Sequence, residues 1–242
     1  MTEHLYREDS YLRSCEATIT KITPESGIIL DRTCFYPNGG GQPGDTGSLE
    51  LEDGTRIPLA TAVYSADRSQ IIHVPAEGTL LPEGLTNGST KVTVHLDWQT
   101  RYKRMRVHTA LHLLSVVLPH PVTGGQISDG TGRLDFDLPE ATLDKVELTE
   151  KLQELIDGDH PITQEWISDE ELEANPGLVK TMSVKPPMGS GRVRLIRIGE
   201  SVDLQPCGGT HVTQTSQIGK ATITKIEKKG RQNRRVRIQL ED

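Results

Sequence analysis

The chain has 242 residues and a formal net charge of −7, with 34% apolar and only 4% aromatic residues. A mean hydropathy of −0.45, with no apolar run near the roughly 20 residues that cross a bilayer, excludes a helical membrane protein. The length allows one large domain or two modest ones with ample core. Three cysteines, Cys15, Cys34 and Cys207, are odd in number and unpatterned, and the N-terminus lacks the basic start and apolar run of a secretory leader. A reducing, cytoplasmic setting is expected.

Residues 13 to 96 alternate apolar and polar positions, as in Ala17-Thr18-Ile19-Thr20-Lys21-Ile22 and Lys91-Val92-Thr93-Val94-His95-Leu96, with frequent Gly and Pro between. That pattern predicts a small antiparallel β-barrel over 1–96. Within it runs Thr33-Cys34-Phe35-Tyr36-Pro37-Asn38-Gly39-Gly40-Gly41-Gln42-Pro43-Gly44-Asp45-Thr46-Gly47. Consecutive glycines bring backbone N–H groups close to a ligand without side-chain obstruction. No Lys-Ser/Thr follows, so this is not a nucleotide P-loop, and a plain turn between strands fits it as well.

A second region, 97–242, is expected to be α+β, with helices packed on an antiparallel sheet. Asp97 caps a helix carrying Met105, His108, His112 and Val116, which Pro119 stops. A second helix, about Glu140 to Asp157, places Leu148, Leu152, Leu155 and Ile156 on one face and ends at Gly158. Ser168 to Glu171 forms a capping box for a short third helix. Strands are expected at Ile162 to Ile167, Val193 to Ile198, Lys220 to Glu227 and Arg234 to Leu240, the last two a hairpin around Gly230.

The charge is unevenly spread. Arg101, Lys103, Arg104 and Arg106 run into the histidine helix, and Lys225, Lys228, Lys229, Arg231, Arg234, Arg235 and Arg237 crowd the last twenty residues. Acidic residues concentrate instead between Asp135 and Glu173. A net negative chain with local basic clusters can still dock an anionic partner through phosphates.

Histidines four apart on a helix share one face, so His108 and His112 can reach one ion. Downstream, Cys207-Gly208-Gly209-Thr210-His211 puts a thiolate and an imidazole on a tight Gly-Gly turn. One Cys and three His suit zinc. The glutamate that follows the first His of zinc proteases is absent, which argues against an amidase or protease. Four protein ligands close a tetrahedral shell, as structural zinc sites do, so catalysis at this ion and mere positioning both stay open.

On Thr33 to Gly47, Arg101 to Leu113, Gly125 to Phe136 and Cys207 to Gly219, the chain resembles the alanyl-tRNA editing proteins, the AlaX family, and in particular its medium-length class. These are similar to the editing domain of alanyl-tRNA synthetase. The resemblance implies a deacylase acting in trans on tRNA(Ala) mischarged with serine or glycine. It implies one zinc ion per chain on His108, His112, Cys207 and His211. It also implies Gly39 to Gln42 as the glycine-rich motif, with Gly40 and Gln42 at the reacting centre and Thr33 as reader of the seryl hydroxyl. Arg101, Lys103 and Arg104 are the expected tRNA contacts. A zinc-stabilised RNA-binding module without catalysis is the alternative, and no membrane partner is expected.

Overall fold

A computed structural model describes residues 2–139, 143–182 and 191–241. The chain divides into two compact units, Met1–Tyr102 and Lys103–Asp242. The boundary lies inside the first helix, past the expected break at 96/97, because the helix begins as part of the barrel unit.

The first unit is a closed barrel. Its strands are β1 (Ser14–Ile22), β2 (Ile28–Leu30), β3 (Gly47–Leu51), β4 (Arg56–Tyr64), β5 (Ile71–Pro75) and β6 (Lys91–Leu96). They pair antiparallel in the order β1-β2-β5-β4-β3-β6, and β6 returns to β1 with Ala17 opposite Val92. The alternation read from the sequence is the inside–outside period of these strands: Ala17 and Ile19, Ile57 and Leu59, and Val92 and Val94 face the core. Ile28, Leu30, Phe35, Leu49 and Ile71 complete that core.

The helix α1 (Trp98–Val117) starts here. Asp97 caps it, accepting from the Thr100 amide at 3.3 Å and from the Thr100 hydroxyl at 2.8 Å. Arg101, in its first turn, is among the largest fully buried side chains. Its guanidinium binds Asp45, and it also donates to the carbonyls of Ser10 at 2.9 Å and Cys34 at 2.8 Å. A buried charge is tolerated only when so satisfied.

The second unit, described by itself, holds two antiparallel sheets. One contains β7 (Val122–Ile127), β8 (Thr131–Asp137), β12 (Ala221–Lys229) and β13 (Asn233–Leu240), in the order β12-β13-β8-β7. The other is β9 (Ile162–Ile167), β10 (Val193–Ile198) and β11 (Asp203–Pro206), in that order. The expected strands and the hairpin around Gly230 are present. The strands β7, β8 and β11 were not foreseen, since Val122-Thr-Gly-Gly-Gln-Ile carries glycines that read as loop and β11 is only four residues long.

The helix α2 (Lys145–Asp157) is capped by Asp144 and buries Leu148, Leu152 and Ile156. Part of its expected start, 140–142, lies outside the described residues. It docks on β12, whose Ala221 and Ile223 amides donate to Gln153 at 3.0 Å and Thr149 at 3.2 Å. The capping box of Ser168 and Glu171 opens α3 (Asp169–Ala174) as expected. The remainder of α1 rests on β8 at Gly132, where a Cβ would come within 2.6 Å of Val107. The architecture is α+β. No helix of the described chain is long and apolar enough to cross a membrane.

Candidate metal centre and glycine-rich turn

His108 and His112 project from one face of α1, while Cys207 and His211 sit on the turn that leaves β11. One candidate ligand atom from each lies within 4.8 Å of every other. Cys207 Sγ is 3.5 Å from His108 Nε2 and 3.3 Å from His211 Nε2. A tetrahedral ion with bonds of about 2.05 Å to nitrogen and 2.3 Å to sulfur requires an N···S edge of about 3.5 Å. The four residues therefore fit a metal ion in chemistry and spacing.

The outer contacts fix which nitrogen faces the centre. Thr109 spends its hydroxyl proton on the Met105 carbonyl at 3.0 Å, so at 3.2 Å it accepts from His211 Nδ1. Asp203 accepts a hydrogen bond from His112 Nδ1 at 3.2 Å. Both contacts hold an Nδ1 proton on the outer side and turn Nε2 toward the centre, the orientation that metal-binding histidines use.

Asp203, with a fully buried side chain, is in turn held by Lys180 and by Gln205 at 2.6 Å. Burial disfavours its charge, but His112, Lys180 and Gln205 outweigh that and hold its carboxyl near 2. Burial also opposes a charge on His112, yet its bond to Asp203 and its proximity to Cys207 lift it to about 9. Burial works against ionising Cys207 as well, and His108 and His211 nonetheless pull the thiol well below its ordinary range. The turn itself is clamped by Arg194, which donates to the carbonyls of Gly209 at 2.7 Å and Cys207 at 3.3 Å.

Thr109, Lys180, Asp203, Gln205 and Arg194 escaped the sequence reading. Only Thr109, beside a ligand in the helix, carried any positional hint. The others are common residue types at spacings that no motif marks.

In the barrel unit, the glycine-rich segment is a closed hairpin. Gly39 and Gln42 exchange backbone hydrogen bonds at 3.1 and 3.0 Å around Gly40 (φ 57°) and Gly41 (φ 83°). Two consecutive positive φ angles make the type I′ turn that glycine permits. The Gly39 amide is used within the turn, leaving Gly40 and Gly41 as the amides that can meet a ligand. Farther along, a Cβ at Gly44 would lie 2.1 Å from the Ala62 carbonyl, so the chain passes there only as glycine. Tyr36 and Asp45 close the loop base, with the Tyr36 amide donating to the Asp45 carboxylate at 2.6 Å and the Asp45 amide to the Tyr36 carbonyl at 2.9 Å. Gln42 is fully buried.

Thr33 is also fully buried. His73 Nδ1 donates to the Ile28 carbonyl at 3.1 Å, so its Nε2 accepts the Thr33 hydroxyl proton at 2.8 Å. Thr33 Oγ1 accepts from the Phe35 amide at 3.1 Å. Its proton is therefore unavailable to a substrate, and only a lone pair remains.

The basic run divides. Arg101 is a correction: the Asp45 pair and two carbonyls take up its guanidinium inside the barrel unit, so it cannot reach a phosphate. Arg104 is 7% exposed and bound to Asp129 at 2.7 Å, which likewise assigns it an internal partner. Lys103 is half-buried. In the C-terminal cluster, Glu227 engages Lys225 and Arg237, and Asp135 engages Arg235.

Residues 193–237 match the family model of the threonyl and alanyl tRNA synthetase second additional domain. Residues 11–100 match that of class II (A) tRNA synthetases. The alanyl-tRNA editing protein AlaX-M of Methanosarcina mazei is 37% identical over the whole of this chain and 98% of its own length. AlaX-M of Saccharolobus solfataricus is 35% identical over 98% of each. The alanine–tRNA ligase of Pyrobaculum neutrophilum is 32% identical over 94% of this chain but 25% of the ligase. Similarity at this level along nearly the full length of two relatives shows that the chain belongs to the alanyl-tRNA editing proteins of the AlaX-M class.

Proposed function

We propose that this chain is an aminoacyl-tRNA deacylase that clears serine, and secondarily glycine, from mischarged tRNA(Ala) in the cytoplasm, with one zinc ion per chain. The observation that carries the reading is the His108–His112–Cys207–His211 cluster, with the Nδ1 atoms of His112 and His211 held from outside by Asp203 and Thr109, in a chain matched end to end by editing proteins. Zinc bound there would supply a Lewis acid for an oxygen or nitrogen of the aminoacylated ribose.

The ester is already activated, so hydrolysis needs a positioned water and donors for the developing oxyanion more than a strong nucleophile. The Gly40 and Gly41 amides are the proposed donors of the turn, and buried Gln42 holds its shape. Thr33 reads the seryl hydroxyl as an acceptor, through the lone pair that His73 and Phe35 leave. A site built to pair with a hydroxyl rejects the analogue lacking it. Lys103 remains the proposed phosphate contact of the helix.

The test is deacylation of seryl-, glycyl- and alanyl-tRNA(Ala) by the metal-loaded protein. Turnover of the first two with sparing of the third supports the reading. Binding of tRNA without hydrolysis of any ester would favour the non-catalytic RNA-binding module, which a closed four-ligand shell also fits.

A further inference from the structure

Two cysteines in the barrel unit lie outside the function above. Cys15 is half-buried on β1, and Cys34 is fully buried between Thr33 and Phe35. Cys15 packs against the core cluster that contains Cys34. The two segments are pegged together nearby: the Asp31 amide donates to the Thr18 carbonyl at 3.0 Å, and Asp31 Oδ1 accepts from the Thr18 amide at 2.7 Å. Arg101 adds a second clamp by binding the carbonyls of Cys34 and of Ser10, just ahead of β1. Ile19 pairs with Leu30, and the Asp31–Thr18 bond continues that antiparallel register, which counted on by three residues brings Cys34 opposite Cys15, on the inward face that Cys15 shares with Ala17 and Ile19.

We infer that Cys15 and Cys34 form a peroxide-sensitive dithiol that closes to a disulfide between β1 and the segment leading into the glycine-rich turn. The contact polarises the pair. Hydrogen bonding from Cys34 lowers the Cys15 thiol below its ordinary range despite burial, whereas the same bond and burial raise Cys34. The half-exposed sulfur is thus the nucleophile, and its buried neighbour is the resolving group.

In the first step the Cys15 thiolate attacks hydrogen peroxide. An S–O bond forms, the O–O bond breaks, and the departing hydroxide takes a proton to become water. In the second, the Cys34 sulfur attacks the Cys15 sulfenic acid as its proton passes to the leaving hydroxyl, giving the disulfide and a second water. Two thiols are oxidised by two electrons, and one peroxide is reduced to two waters. A dithiol reductant restores both thiols.

The experiment treats the metal-loaded protein with hydrogen peroxide and reads its mass before and after reduction. The expected result is a loss of about 2 Da that dithiothreitol reverses, with tryptic peptides Ser14–Lys21 and Thr33–Arg56 linked before reduction. Cys15→Ser should abolish the link, and Cys34→Ser should trap a sulfenic acid on Cys15 that a dimedone probe captures. The unaltered protein decides the matter even if a variant fails to fold. Overoxidation of Cys15 without linked peptides, a link to Cys207, or no change at Cys15 would each overturn the inference.

Discussion

At the candidate metal centre a single carboxylate, Asp203, acts one contact behind the cluster, through His112 Nδ1. Asp203 fixes the His112 proton on Nδ1, and Asp203→Asn removes the charge that favours this arrangement. Metal affinity should fall about 10- to 100-fold, read by competition with a chromogenic chelator, while Cys207→Ala should lose the ion outright. Unchanged affinity in Asp203→Asn would mean that packing alone orients the ring. Thr33 calls for a paired test. Thr33→Val strands His73 Nε2 and the Phe35 amide in the core, each costing about 1–3 kcal/mol, whereas Thr33→Ser keeps the oxygen. If that oxygen reads the substrate, the Val variant should lose more seryl than glycyl ester hydrolysis, by roughly two- to tenfold, and the Ser variant should restore the difference. Equal losses on both esters would confine Thr33 to holding the barrel.

Among elements, the barrel stores a pH dependence in His73. Its burial depresses the ring to about 4 from an ordinary 6.5, so the folded state keeps it neutral where the unfolded chain takes up a proton. Above about pH 6.5 both states are neutral and nothing is lost. As pH falls from there to about 4, stability should drop by about 3 kcal/mol. His73→Gln keeps a donor for Ile28 and an acceptor for Thr33 but cannot titrate. Urea unfolding of the two proteins across this range should therefore diverge, and parallel curves would assign the pH dependence to other groups.

The elements also show what could be read in advance. Barrel strands, the histidine helix and the capping box at Ser168 follow from local period and caps, and the four candidate metal ligands stand out by residue types and spacings that are rare. The fate of Arg101 was not legible. A basic run looks the same in sequence whether its members face water or, as here, one of them meets Asp45 across a folded loop. Asp203 and Arg194 were hidden for the same reason, because their partners are brought to them only by pairing of β10 with β11 and by the turn beyond.

For the molecule as a whole, a net charge of −7 means that tRNA must be met by a local cationic surface. Arg101 and Arg104 have internal partners, and Asp135 and Glu227 occupy Arg235, Arg237 and Lys225. Lys228 and Arg231, both exposed near the tip of the β12–β13 hairpin, are better placed for phosphates. Each phosphate contact contributes nearly one counterion to the salt dependence of binding. Replacing both by Glu should therefore raise the tRNA concentration needed for half-maximal turnover and reduce the slope of log K against log salt by about 2, leaving kcat and folding unchanged. Arg101→Glu should behave differently in kind. It sets two carboxylates together in the barrel core, so the expected outcome is loss of the folded state, since breaking a buried pair costs about 3–5 kcal/mol. Circular dichroism and the salt series, run on both variants, separate the two cases. A folded Arg101→Glu protein with a shallower salt slope would return that residue to the tRNA surface, and an unaltered slope in the hairpin variant would move the docking face elsewhere.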